Sequence, residues 1–161
     1  MSHSNAAPSG AGLYTPEQRL RRDETVWTLI QGILAPLQFV AFAVSVVLVL
    51  RYMLTDVGYM AATVSILIKT GLLYVIMITG AVWEKVVFGQ YLFAPAFFWE
   101  DAISFIVIAL HTLYIWAFFS GAVGPEGQML IALVAYLTYV VNAGQFLWKL
   151  RMARVQSEPA T

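Results

Sequence analysis

Four apolar stretches, each long enough to cross a lipid bilayer, leave this chain few ways to fold. A helical crossing needs about 20 residues. The stretches run from about Val26 to Leu50, about Tyr59 to Trp83, about Ala102 to Ser120 and about Met129 to Trp148. Of the 161 residues, 60% are hydrophobic and 11% charged, whereas a soluble domain carries about 25% charged residues. The mean hydropathy is +0.76. These values point to one integral membrane domain, an all-α four-helix bundle. Net charge is zero, so no basic surface argues for nucleic acid. Cysteine is missing from the sequence, which excludes disulfides, thiolate metal sites and thiol catalysis.

The connectors order the spans. Arg51 to Gly58 and Gly121 to Gly127 are short and turn-rich, so consecutive helices are expected to be antiparallel neighbours. Lys and Arg favour the cytoplasmic side of a membrane. Arg19, Arg21 and Arg22 precede the first span, Lys149, Arg151 and Arg154 follow the fourth, and Lys85 lies in the middle connector. The outer connectors hold only Arg51. Both termini and the 84–101 connector are therefore expected on the cytoplasmic side. Thr15-Pro16-Glu17-Gln18 has a cap residue, a proline at the first helical position and an acid in the first turn, the pattern of a helix start. Residues 1–13 are rich in Ser, Ala, Gly and Pro and are expected to be a disordered tail, which sets His3 aside as a ligand. The expected division is a tail over 1–13, a membrane domain over 14–155 and a second tail over 156–161.

The middle connector is unusual. It runs Trp83-Glu84-Lys85-Val-Val-Phe-Gly-Gln-Tyr-Leu-Phe-Ala-Pro-Ala-Phe-Phe-Trp99-Glu100-Asp101. A soluble loop would be polar; this one is aromatic and apolar, which fits a segment lying in the membrane interface. Ionisable groups at such a place are costly and mark candidate functional sites. Phe88, Tyr91, Phe93, Phe97 and Phe98 are denser than an ordinary interfacial belt and suit a flat aromatic ligand, whereas Trp27 and Trp148 read as belt residues.

The spans carry further polar groups. Lys69 sits near the middle of the second span, where insertion costs about 2.5–3.5 kcal/mol, so it should face the bundle interior. His111 lies near the middle of the third. Glu100, Ser104, Val107 and His111 share one helical face, with about 16 Å between the first and last along the axis. That length suits a large flat ligand such as a tetrapyrrole. Gln31 and Gln38 flank Pro36 on the first span, where a kink is expected. Asn142 and Gln145 lie on the fourth. Amides of this kind either join helices or contact a substrate.

Leu-Tyr-Thr-Pro-Glu-Gln (13–18), Trp-Thr-Leu-Ile-Gln-Gly-Ile-Leu-Ala-Pro-Leu-Gln-Phe (27–39), the run from Thr79 to Asp101 and Tyr-Val-Val-Asn-Ala-Gly-Gln-Phe-Leu-Trp-Lys-Leu-Arg (139–151) resemble the 3-vinyl bacteriochlorophyllide hydratase family. The resemblance covers about residues 13–155 and is strongest over 79–101. It implies a hydro-lyase of bacteriochlorophyll biosynthesis in a phototrophic bacterium, multi-pass in the inner (intracytoplasmic) membrane. The reaction adds water across the C3-vinyl group of chlorophyllide a or bacteriochlorophyllide a and leaves a 1-hydroxyethyl group.

Carried onto this chain, hydration calls for a proton on the terminal vinyl carbon and then water at the internal one. The expected catalytic set is Glu84, Glu100 and Asp101, with Glu100 or Asp101 as acid and Glu84 as base. Lys85 either pairs with Glu84 or holds the substrate propionate. Lys69, Trp83, Trp99, Gln38 and Asn142 are expected substrate contacts. His111 is a candidate axial ligand to magnesium that arrives with the substrate; no protein-bound metal or cofactor is expected. The implied partners are the magnesium tetrapyrrole and the lipid bilayer, with a homo-oligomer or other pathway enzymes as further candidates. The competing readings are a non-catalytic tetrapyrrole-binding protein, a haem electron carrier and a small transporter with Lys69 as coupling charge. Against the haem carrier stands the single span histidine.

Overall fold

The computed structural model describes residues 12–157, and all regular structure among them is helical. The helices are α1 (Pro16–Glu24), α2 (Val26–Thr55), α3 (Tyr59–Phe88), α4 (Phe98–Ser120) and α5 (Pro125–Ser157). Four of them, α2 to α5, are long and apolar enough to cross a membrane. Five helices stand where four were expected, because the helix start at Thr15 closes a separate short helix. Thr15 accepts from the Gln18 backbone at 3.2 Å, and the Gln18 side chain accepts from the Thr15 backbone at 2.9 Å. This reciprocal cap satisfies two backbone donors that the first turn would otherwise strand. Thr25 is extended, caps α2 through its hydroxyl, and so separates α1 from α2.

The tail expected over 1–13 falls outside the described residues for 1–11, and the 158–161 part of the second tail does too. Leu13, by contrast, packs against the cluster of Tyr14, Val87 and Phe97. The apolar connector is shorter than expected. Only residues 89–97 lie between α3 and α4; Glu84 belongs to α3, and Glu100 and Asp101 to α4. Helix α3 stops at Gly89, whose φ of 88° is a left-handed conformation open to glycine at little cost. Helix α2 continues through Pro36.

Hydrogen bonds tie α2 to α3 at Thr28–Trp83, Gln31–Thr79, Gln38–Lys69 and Ser45–Ser65. Asn142 and Lys149 of α5 bond to α4 at Ser104 and Glu100. The two pairs are joined by Tyr74–Thr112, Ser45–Tyr136 and Tyr59–Gln128. Three apolar clusters stack through the bundle. Val49, Ala62, Ile66, Tyr114, Met129, Ala132 and Tyr136 form one end, Leu73, Val107 and Tyr139 another layer, and Tyr14, Val87 and Phe97 the end that carries the carboxylates. Large apolar side chains such as Leu29, Phe39, Val47, Ile78 and Leu137 point outward. Exposed apolar surface on this scale is what a bilayer covers.

Candidate active site

The three expected carboxylates converge. Glu84 comes from the last turns of α3, and Glu100 and Asp101 from the first turn of α4, and all three are buried. The carboxyl groups of Glu84 and Asp101 lie within hydrogen-bond reach of each other, with Glu100 close enough to repel both. Two carboxyl groups in such contact can share one proton, because two carboxylates at that separation repel each other.

The backbone of the connector is shaped around this pair. Phe93 donates its N–H to Asp101 Oδ2 at 2.7 Å, and the next residue, Ala94, donates to Glu84 Oε2 at 3.2 Å. Successive N–H groups aimed this way form a concavity for negative oxygen. Reaching it forces Phe93 to a φ of 57°. A side-chain-bearing residue there costs about 1–2 kcal/mol, and such strain persists only where surrounding structure holds it. The Phe93 ring is fixed by stacking on Phe105 at 5.4 Å and by Phe98 at 5.5 Å.

Glu100 is held differently. Lys149 of α5 reaches both of its carboxylate oxygens at 3.0 Å and also donates to the Ala96 carbonyl. Asn142 donates to the Glu100 carbonyl at 2.9 Å and accepts from Ser104 at 3.1 Å. Helix position also separates the groups. The N-terminus of α4 favours negative charge at Glu100 and Asp101, whereas the C-terminus of α3 disfavours it at Glu84. The aromatic wall is Trp83, Phe88, Phe97 and Phe146, with Tyr14 stacked on Phe88 at 5.7 Å. Burial pushes the Tyr14 hydroxyl above its ordinary pKa, against the pull of Arg22 beside it.

Other expected site residues lie elsewhere. Lys85 does not pair with Glu84: it is exposed and donates to the Gly89 carbonyl at 2.8 Å, closing its own helix. Trp99 points away from the carboxylates and is 70% exposed. Lys69, Gln38 and His111 form a second polar group inside the bundle, all buried. Lys69 Nζ is 3.5 Å from Gln38 Oε1 and 3.9 Å from the Tyr139 ring centre. His111 Nδ1 lies 2.7 Å from the Val107 carbonyl, and its ring lies 5.8 Å from that of Tyr136.

Sequence reading passed over Lys149 as a site residue and the backbone of Phe93 and Ala94. Lys149 stands seven residues after Asn142, on the same helical face, a spacing that could have found it. The left-handed Phe93 leaves no sequence signal.

The family model for 2-vinyl bacteriochlorophyllide hydratase matches residues 14–152. A Rhodobacter capsulatus protein named 2-vinyl bacteriochlorophyllide hydratase is 68% identical over 158 residues, 98% of this chain and 91% of that protein. One of the same name from Cereibacter sphaeroides is 71% identical over 158 residues, 98% of this chain and 97% of that protein. No solved structure matches the chain. The matched range, residues 14–152, contains the carboxylate cluster, and the chain belongs to the 2-vinyl bacteriochlorophyllide hydratase family.

Proposed function

We propose that this chain is a hydro-lyase of bacteriochlorophyll biosynthesis. It hydrates the C3-vinyl group of chlorophyllide a or bacteriochlorophyllide a to a 3-(1-hydroxyethyl) group. The observation that carries the reading is the buried Glu84–Asp101 carboxyl pair, found in a chain whose relatives are named hydratases.

The opposed helix termini favour the shared proton on Glu84 and the negative charge on Asp101. Glu84 gives that proton to the terminal vinyl carbon, the reverse of the base role expected for it from the sequence, and the cation at the internal carbon is delocalised into the macrocycle. Water attacks that carbon and returns a proton to the pair, which restores the starting state. Acid–base assistance of this kind contributes about 10²–10⁴-fold. Glu100, held by Lys149 at 3.0 Å, sets a third carboxyl group beside the pair. Water and substrate are joined without change of oxidation level, so no redox cofactor enters. His111 bonds to a carbonyl through Nδ1, which leaves the Nε2 lone pair for magnesium carried by the substrate. Trp83, Lys69, Gln38 and Asn142 are assigned to substrate binding, directly or through Glu100.

The bundle is read as antiparallel neighbours in the bacterial inner membrane, with both termini cytoplasmic. The order of the α2–α3 hydrogen-bond pairs and the Lys/Arg bias support this sense. The test is incubation of membranes containing the chain with 3-vinyl chlorophyllide. A blue-shifted, more polar product is expected; pigment returned unchanged would overturn the reading.

A further inference from the structure

The substrate proposed above carries a carboxylate of its own, the propionate, and the protein must accommodate it on a largely apolar path. Three lysines occur in the chain. Lys85 caps its own helix at the surface. Lys149 is engaged by both oxygens of Glu100 and by the Ala96 carbonyl. Lys69 is completely buried, and the oxygen it reaches is the neutral amide oxygen of Gln38, at the long distance of 3.5 Å.

The side chain that Lys69 reaches is neutral. The Lys69 ammonium lies over the faces of Tyr139 and Tyr136. Gln38 turns its carbonyl oxygen to the lysine, and its amide nitrogen is buried with no hydrogen-bond partner. No acidic side chain lies in α2, and the acids of α3, α4 and α5 sit at Glu84, Glu100, Asp101 and Glu126. Glu84 is fifteen residues from Lys69, or about 22 Å along the helix. A buried lysine without an anion is costly to charge, and a matching anion buried beside it offsets that cost. An ammonium and a free amide N–H together present two donors to one carboxylate.

We infer that Lys69 and Gln38 form the anchor for the substrate's propionate carboxylate. The inference rests on the hydratase reading for the identity of the ligand and adds the group of it that is recognised inside the bundle. The propionate is far from the vinyl group, so the anchor governs affinity and leaves the chemical step to Glu84 and Asp101.

The experiment compares 3-vinyl chlorophyllide with its propionate methyl ester, using membranes that hold the full chain. Equilibrium binding is followed by quenching of pigment fluorescence, and turnover by product absorption. Loss of a charge-assisted hydrogen bond weakens binding about tenfold or more. The wild type should therefore bind the free acid at least about tenfold more tightly than the ester, with kcat little changed. Lys69→Met should lose that preference by weakening the acid alone, and Lys69→Arg should retain part of it. Equal affinity of the wild type for acid and ester, or an undiminished preference in Lys69→Met, would overturn the anchor. The wild-type comparison needs no variant to fold. Binding decides the anchor even if no product forms, and absence of product from the wild type counts against the hydratase reading alone.

Discussion

Glu84→Gln separates the shared proton from every other role of the side chain. Glutamine keeps the shape of Glu84, and its carbonyl can still accept from the Ala94 backbone, which now bonds at 3.2 Å. Its NH₂ donates to Asp101 where the protonated carboxyl does now. Each bond retained is worth about 0.5–1.5 kcal/mol, or about 1.5–3 where one partner is charged. The change in folding stability is therefore expected to stay within about 1 kcal/mol, which in a chain of this size moves Tm by about 2–4 °C. The transferable proton is gone, and hydration should fall by about 10²-fold or more. Glu84→Ala is the contrast: it strands the Ala94 N–H and leaves Asp101 without its partner, at about 1–3 kcal/mol for the unsatisfied donor alone. The assay is product formation from 3-vinyl chlorophyllide beside thermal unfolding in detergent. Glu84→Gln retaining more than about a tenth of wild-type rate would refute the acid role. A Tm loss as large as that of Glu84→Ala would instead refute the hydrogen-bond geometry.

Two further substitutions bracket the site. Lys149→Met removes the cation from a nearly buried Glu100 and leaves the Ala96 carbonyl bare; because the lysine is a quarter exposed, the expected cost is about 2 kcal/mol, below the 3–5 of a fully buried pair, read as a lower Tm together with lower activity. Lys85→Ala should change both stability and turnover little, within about 0.5 kcal/mol, and a large rise in KM would restore Lys85 as a substrate contact.

The four spans were legible because an apolar run of about 20 residues suits a bilayer and little else, and the carboxylates because charge is costly at an apolar rim. What sequence could not give was direction around a helix. Lys85 follows Glu84 and Trp99 precedes Glu100, and a linear sequence groups each with its neighbour. Adjacent residues on a helix do not face each other, so once 84–88 and 98–101 proved helical, one member of each pair turned inward and the other outward. Lys149 escaped for the complementary reason. Its contact with Glu100 crosses between α4 and α5 and depends on how those helices pack, 49 residues apart in sequence. The Phe93 turn was invisible because a left-handed phenylalanine runs against local preference.

That conflict bears on function. A stretch of only eighteen positions, 84 to 101, holds three buried carboxyl groups and a strained aromatic residue. A glycine at 93 would reach the same left-handed turn without that strain, and carboxyl groups are costly to bury among apolar side chains. Sites where local rules are broken and the surrounding structure compensates are where function is expected. Here the compensation is specific, with two backbone N–H groups, a helix N-terminus and Lys149 each directed at a carboxyl oxygen. A protein that only held a flat pigment would be served by the aromatic wall and a polar anchor. A carboxyl pair with one proton between its members adds something binding does not require, a proton to give and a place to take it back.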